Sequence, residues 1–184
     1  MTAINTQTGE VRMVTAQRSG DRGPLWAPPD AFAMHSQGEQ ANEYLMPYST
    51  ARFEDESMNM ETAQWWSGMS RVNLKTGEVE RMETVPFQFV VFNFVTDPRD
   101  SNILYGSFNT LSKHDLRKHE TVAVRDMKHT YYNLNISADG KTLYVGGTSS
   151  DISIHDSDTL EKTGSIRLSG DITTSAPPIA DIRD

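Results

Sequence analysis

The chain contains no cysteine, which excludes disulfides, thiolate nucleophiles, Cys-ligated metal and Cys-x-x-Cys-His haem attachment together. The compartment stays open, because a domain with a large core persists in an oxidising space without disulfides. No apolar run reaches the roughly 20 residues a membrane-spanning helix needs. The opening Met1-Thr-Ala-Ile-Asn-Thr-Gln has neither a basic cluster nor an apolar stretch, so no signal peptide is visible. Positive charge is scarce: 17 Lys and Arg stand against 25 Asp and Glu, a formal charge of −8. That balance argues against a nucleic-acid or anionic-membrane surface, since either would need a basic stripe. Gly-x-Ser-x-Gly and a phosphate-cradling glycine loop are also missing.

What the chain does have is repetition. Ser137-Ala-Asp-Gly-Lys-Thr-Leu-Tyr-Val-Gly146 lines up with Thr96-Asp-Pro-Arg-Asp-Ser-Asn-Ile-Leu-Tyr-Gly106, and Ser153-Ile-His-Asp156 answers Ser112-Lys-His-Asp115. Leu104 to Leu143 is a step of 39 and Asp115 to Asp156 a step of 41. A period of about 40 residues built from short strands and turns is that of one β-propeller blade. Four copies of one hairpin unit are readable: Ile4–Val11, Val72–Val79, Lys113–Glu120 and Ile154–Glu161. The first two share Thr-Gly-Glu-Val, with Gly9 and Gly77 where a hairpin wants a residue at positive φ. This unit reads as the outer two of a blade's four strands. The inner strands are expected at Phe87–Val95 and Thr130–Ile136, the first nearly continuous hydrophobe, as a strand covered on both faces requires.

The pattern predicts an all-β fold: a β-propeller of four-stranded antiparallel blades, incomplete, with about four of seven present. Expected boundaries are an outer hairpin of a truncated blade at 1–15, blades at 16–84, 85–126 and 127–168, and a closing inner strand at 169–184. Asn5 to Asn73 spans 68 residues against 42 for Asn73 to Asp115, so the second blade carries an insertion of about 27 residues between Arg18 and Gln64. That span and its edge hold Trp26, Pro28, Pro29, Tyr44, Tyr48, Trp65 and Trp66 beside the acidic run Phe53–Glu61. Long aromatic loops on a rigid scaffold often make contacts; equally, such a segment can pack on its own propeller. The reading is of a C-terminal fragment of a larger propeller. An unclosed arc leaves an apolar face at each end, which predicts pairing or aggregation.

Site chemistry is sparse. Of five histidines, His35, His114, His119, His129 and His155, two occupy equivalent positions before Asp115 and Asp156 and read as structural. His114 and His119 are five apart in a hairpin with no matching pair, so no metal site is expected. Asp55, Ser57, Asn59 and Glu61 alternate like a calcium loop but lack its bend glycine. The Asn135-Ile-Ser137 sequon falls in an expected inner strand, where a glycan does not fit. No catalytic residue is assigned. The candidates for a cavity wall or subunit contact are His129, Tyr131, Tyr132 and Asn133 at the mouth of an inner strand, with Trp65 and Trp66. The competing reading of the two tyrosines is packing between blades with locally satisfied hydroxyls.

The last blade carries a more specific likeness. Tyr131-Tyr-Asn133, then Ile136-Ser-Ala-Asp-Gly-Lys-Thr-Leu-Tyr-Val-Gly-Gly147, then Asp151-Ile-Ser-Ile-His-Asp-Ser-Asp-Thr-Leu-Glu-Lys162 resembles the end of the β subunit of quinohemoprotein amine dehydrogenase, a YVTN-like propeller. The resemblance implies a seven-bladed propeller in a periplasmic heterotrimer that oxidises primary amines to aldehydes. It places two c-type haems on an α subunit and cysteine tryptophylquinone on a small γ subunit. The propeller itself carries no cofactor; it docks the γ subunit and helps wall the active-site cavity. The chain departs from that family in length, lacking roughly the first three blades. Two other readings are kept: a stand-alone YVTN-like propeller acting as a binding or scaffold module, and the propeller subunit of a related quinone enzyme such as methylamine dehydrogenase.

Overall fold

A computed structural model describes residues 2–13, 25–27, 30–31, 36–37 and 43–172. Pro28, Pro29, His35 and most of the expected closing strand, 173–184, lie outside the described residues. Among the described residues every regular element is a strand. β1 (Thr2–Ile4) and β2 (Val11–Met13) form a hairpin. β5 (Glu43–Arg52), β6 (Gln64–Asn73) and β7 (Val79–Pro86) form an antiparallel meander. Its inner edge is occupied by two short strands, β3 (Asp30–Ala31) and β4 (Ser36–Gln37), both paired with β5. The next sheet runs β8 (Asn93–Asp97), β9 (Asp100–Ser107), β10 (Thr110–Asp115), β11 (Glu120–Asp126). The last runs β12 (Asn133–Ile136), β13 (Thr142–Gly146), β14 (Asp151–Asp156), β15 (Lys162–Arg167). These sheets stack face to face as consecutive blades, and the fold is an arc of a β-propeller. The hairpin is counted below as blade 1 and the three sheets as blades 2 to 4.

Each outer turn is built by one device. Asn5, Asn73, Asp115 and Asp156 each accept a bond from the backbone N–H two residues on, at 2.9, 2.9, 3.0 and 3.0 Å. Such Asx turns bring the chain round without the help of neighbouring strands. Four residues past each, the backbone turns left-handed: Gly9 and Gly77 at φ 74°, His119 at 53° and Leu160 at 59°. Glycine takes this region freely, whereas histidine and leucine pay a steric cost there that packing must offset. Leu160 is buried in the core and His119 donates toward the carbonyls of Glu83 (3.0 Å) and Thr84 (3.2 Å) on blade 2.

Two of the expected inner strands begin later than the sequence pattern suggests. Phe87–Phe92 and Thr130–Tyr132 are irregular connections, and only Asn93–Asp97 and Asn133–Ile136 pair. Their apolar residues are explained by position: Val91, with Phe89 against it, plugs the seam between blades 2 and 3. The aromatics of the long second unit also differ in setting. Tyr44, Tyr48, Trp65 and Trp66 stand on the ten-residue strands β5 and β6 rather than in a loop. Tyr48 lies directly across from Gly68, where a Cβ would sit 2.1 Å from its ring.

Blades 2 and 3 bury Leu45, Met69, Phe94, Leu104 and Leu116 between them. Blades 3 and 4 bury Val95, Tyr105, Leu111, Leu134, Ile136, Leu143, Val145 and Leu160. An ion network spans the second seam. Arg99 donates to Asp97 (2.8 Å) on its own blade and to Ser157 and Asp158 (both 3.2 Å) on the next. Asp97 also accepts from the Tyr105 hydroxyl at 2.9 Å. Burial pushes the Asp97 carboxyl up, but its bonds from Arg99 and Tyr105 outweigh this and hold it below the usual carboxylate range.

His114 and His155 are structural in the geometry as in the repeat. Their Nε2 atoms lie 2.8 Å from Ser112 and Ser153 Oγ. Their Nδ1 atoms meet Thr121 Oγ1 (3.2 Å) and the Leu160 carbonyl (3.0 Å). Burial lowers both, His114 from the usual 6.5 to about 4. The unfolded chain therefore takes up protons between these values while the folded chain does not, so stability is full above pH 6.5 and falls toward pH 4. The loss from His114 alone approaches roughly 3 kcal/mol. Urea midpoints measured from pH 7 to 4.5 should fall, and His114→Asn, although less stable at pH 7, should show a shallower fall. Equal slopes would exclude His114 as the source.

Candidate functional site

The meander order sends alternate connections to opposite ends of the sheets. The Asx turns occupy one end. The other end gathers residues 53–63, 87–92, 108–109, 127–132 and 147–150, from blades 2, 3 and 4. All six candidates from the sequence lie at this second end, in two separate groups.

The first group centres on His129. Its Nε2 lies 2.8 Å from Asp151 Oδ1, and its Nδ1 lies 2.9 Å from the Thr130 carbonyl and 3.0 Å from Thr148 Oγ1. The Thr148 hydroxyl donates to the same Thr130 carbonyl. Tyr131 stacks on the imidazole with ring centres 4.1 Å apart and donates its hydroxyl to Asp151 Oδ2 at 3.1 Å. Burial, and then the Asp151 carboxylate beside it, push the Tyr131 phenol up to about 12. Burial raises Asp151 itself, yet the bonds from His129 and Tyr131 and the charge of Lys128 bring it below the usual range. Thr130 extends the network to blade 3 by donating to Asn109 Oδ1 at 2.7 Å, and Asn93 of blade 3 donates to the Tyr132 carbonyl at 3.2 Å.

Tyr132 turns the other way, into a half-buried aromatic trio. Its ring meets Phe92 edge-on at 5.6 Å and Phe108 at 5.8 Å, and those two lie 4.3 Å apart. Asn133 begins β12 beneath it. The second group is on blade 2. Trp66 packs against Trp26 at 6.4 Å and edge-on against His119 at 6.3 Å, while Trp65, on the opposite face of β6, is exposed. The structure thus joins His129, Tyr131, Tyr132 and Asn133 and sets Trp65 and Trp66 apart from them.

Asp151, Thr148, Thr130 and Asn109 complete the first group and were not singled out in the sequence. Asp151 lies 20 residues beyond Tyr131, and only the β12–β13–β14 meander returns it to the same end. The Tyr131 hydroxyl is buried and spoken for by Asp151, and the imidazole is held at both nitrogens. Among the described residues no group of three or more His, Cys, Asp or Glu converges to hold a metal ion.

Comparison with known proteins bears on the fold. No protein-family model matches the chain, and no curated protein matches it. Its structure is similar to that of hydrazine synthase from Kuenenia stuttgartiensis, with a TM-score of 0.50 and 19% identity over 77% of this chain and 37% of that one. It also matches the Cps50 (Swd1) β-propeller domain of Myceliophteria thermophila, with a TM-score of 0.46 and 12% identity over 78% of this chain and 57% of that one. The chain spans less than two thirds of the length of either, and likeness at 19% identity concerns the fold alone.

Asp151→Asn preserves shape but removes the charge that both His129 and Tyr131 bind. It should lower unfolding stability by about 1–2 kcal/mol and bring the Tyr131 phenol down toward its ordinary value, leaving it above that value because burial persists. Ultraviolet titration of the tyrosines reads the second effect; an unchanged Tyr131 would show that Asp151 does not hold its hydroxyl.

Proposed function

We propose that the chain is a non-catalytic docking module, and more specifically the propeller subunit of a periplasmic quinohemoprotein amine dehydrogenase. The observation that carries the first step is the Phe92–Phe108–Tyr132 trio, a half-buried aromatic patch standing on the hydrogen-bonded base of His129, Asp151 and Thr130. Rigid, partly exposed aromatics presented by loops on a stiff scaffold are efficient anchors for a partner, since little side-chain entropy is lost on binding. The second step rests on the resemblance of residues 131–162. Under it, this end of the blades receives the γ subunit with its cysteine tryptophylquinone, in a complex whose α subunit carries haem c. The propeller contributes shape and contacts, and the oxidation of amines to aldehydes takes place on the partners' cofactors.

The test is co-expression of the chain with the dihaem and quinone-bearing subunits encoded beside it, followed by affinity purification. The expected result is a stable complex that Phe108→Glu with Tyr132→Glu weakens at least tenfold. Absence of such neighbouring genes, or failure to associate with their products, would overturn the amine dehydrogenase reading and leave a stand-alone binding module. A complex indifferent to both substitutions would move the docking surface elsewhere.

A further inference from the structure

Blade 2 is longer than blades 3 and 4, and the register shows where the extra chain goes. Asn73 and Asp115 hold the same place in their turns. Counted back from them, the pair Pro47–Met69 of blade 2 answers the pair Ser107–Leu111 of blade 3. There the pairing of β9 with β10 ends, whereas that of β5 with β6 runs on from Tyr48–Gly68 to Arg52–Gln64. These five added pairs, at about 3.4 Å per residue, make an arm of about 17 Å. The arm is braced on both flanks. On one, the Ala27 N–H donates to the Ala51 carbonyl and the Phe53 N–H to the Leu25 carbonyl, both at 2.8 Å. On the other, the Phe87 N–H donates to the Trp65 carbonyl at 2.9 Å. Ala51 and Phe53 are buried within its stem.

The tip of the arm is held in one shape. Asp55 Oδ1 accepts from the Ser57 N–H at 2.9 Å and Asn59 Oδ1 from the Glu61 N–H at 3.0 Å. Between these two turns Met58 takes a left-handed backbone, φ 51°, which glycine would adopt without steric cost. Residues 54–62 are all exposed, and they show two kinds of group. Met58 and Met60 are 52% and 51% exposed, and Trp65, next to the last pair of the stem, is 39% exposed. Beside them stand Glu54, Asp55, Glu56 and Glu61, and among the described residues none of the four is in an ion pair. Arg52 is the only cation between Glu43 and Ser70.

Exposed apolar side chains scattered singly need no explanation, but three carried on the end of one braced arm mark a contact. We infer that the arm is a docking element for a protein whose own surface is basic around an apolar recess. The two thioethers and the indole enter the recess, and the four carboxylates meet the basic rim. Methionine suits the first task, since its unbranched thioether fits irregular cavities. Unpaired carboxylates suit the second, since their field steers an oppositely charged surface and resists an acidic one. The arm belongs to blade 2 and shares no residue with the Phe92–Phe108–Tyr132 patch. The inference is therefore independent of the amine dehydrogenase reading.

The test uses the full chain and two fluorescent peptides, one amphipathic and built of lysine and leucine, the other an oligolysine of equal charge. Fluorescence anisotropy should show the amphipathic peptide bound about tenfold more tightly, with both affinities falling as salt rises. Met58→Ser with Met60→Ser should erase that preference and leave oligolysine binding unchanged. Glu54→Gln with Glu56→Gln should weaken both peptides and flatten the salt dependence. All four positions are exposed, so each variant should keep the circular dichroism spectrum of the parent. Phe108→Glu with Tyr132→Glu should keep the preference; its loss there would move the apolar contact to the aromatic patch and overturn the inference. So would equal binding of the two peptides, binding indifferent to the substitutions in the arm, or no binding of either peptide.

Discussion

Everything in this molecule depends on one blade burying the face of the next. A single four-stranded sheet of this size has two apolar faces and no means of covering either. Tyr105, Leu111 and Val95 are dry only because Leu143, Val145 and Ile136 lie over them. At about 25 cal/mol per Å² of apolar surface removed from water, such seams outweigh any turn or ion pair in the chain. The polar groups within them are consequently constrained. Asp97 is acceptable in the seam because Arg99 and Tyr105 bond it, and His114 and His155 because serine hydroxyls on one side and the Thr121 hydroxyl or the Leu160 carbonyl on the other take both nitrogens. Burial keeps those imidazoles neutral at ordinary pH, which makes the stability of the seams sensitive to acid.

Seam and site are mechanically connected. The loops that carry His129 and Tyr132 leave the outer strand of blade 3 and enter the inner strand of blade 4, crossing the seam as they do so. Thr130 to Asn109 and Asn93 to Tyr132 stitch that crossing on both sides. The aromatic patch therefore stands on the junction of two blades, and a partner seated there would hold them together.

The repeat made the fold legible. The outer turns could be read because their requirement is local: an Asx side chain, then a positive φ four residues on, met by glycine at Gly9 and Gly77. The same φ at His119 and Leu160 was not legible as such, because there tertiary contacts rather than residue type support the strained backbone. The inner strands were read too long for a related reason. An apolar run such as Phe87–Val95 reports burial, and a connection wedged between two sheets is as buried as a strand. Of the site, the residues adjacent in sequence, His129 to Asn133, were found. Asp151 and Thr148 were not, since they join the group only through strand pairing across a turn. Tyr48, Trp65 and Trp66 were visible as aromatics, but their place on paired strands was hidden by the length of the unit that holds them.

The central claim is that the blades are stable only together, and hydrogen exchange after Leu143→Ala tests it most directly. Leu143 belongs to blade 4 and faces blade 3. If mutual burial holds the arc, the substitution will speed exchange of the slow amides in β9 and β10 as much as in β13 and β14. Faster exchange confined to blade 4, with blade 3 unchanged, would show that each sheet is stable on its own and contradict the account.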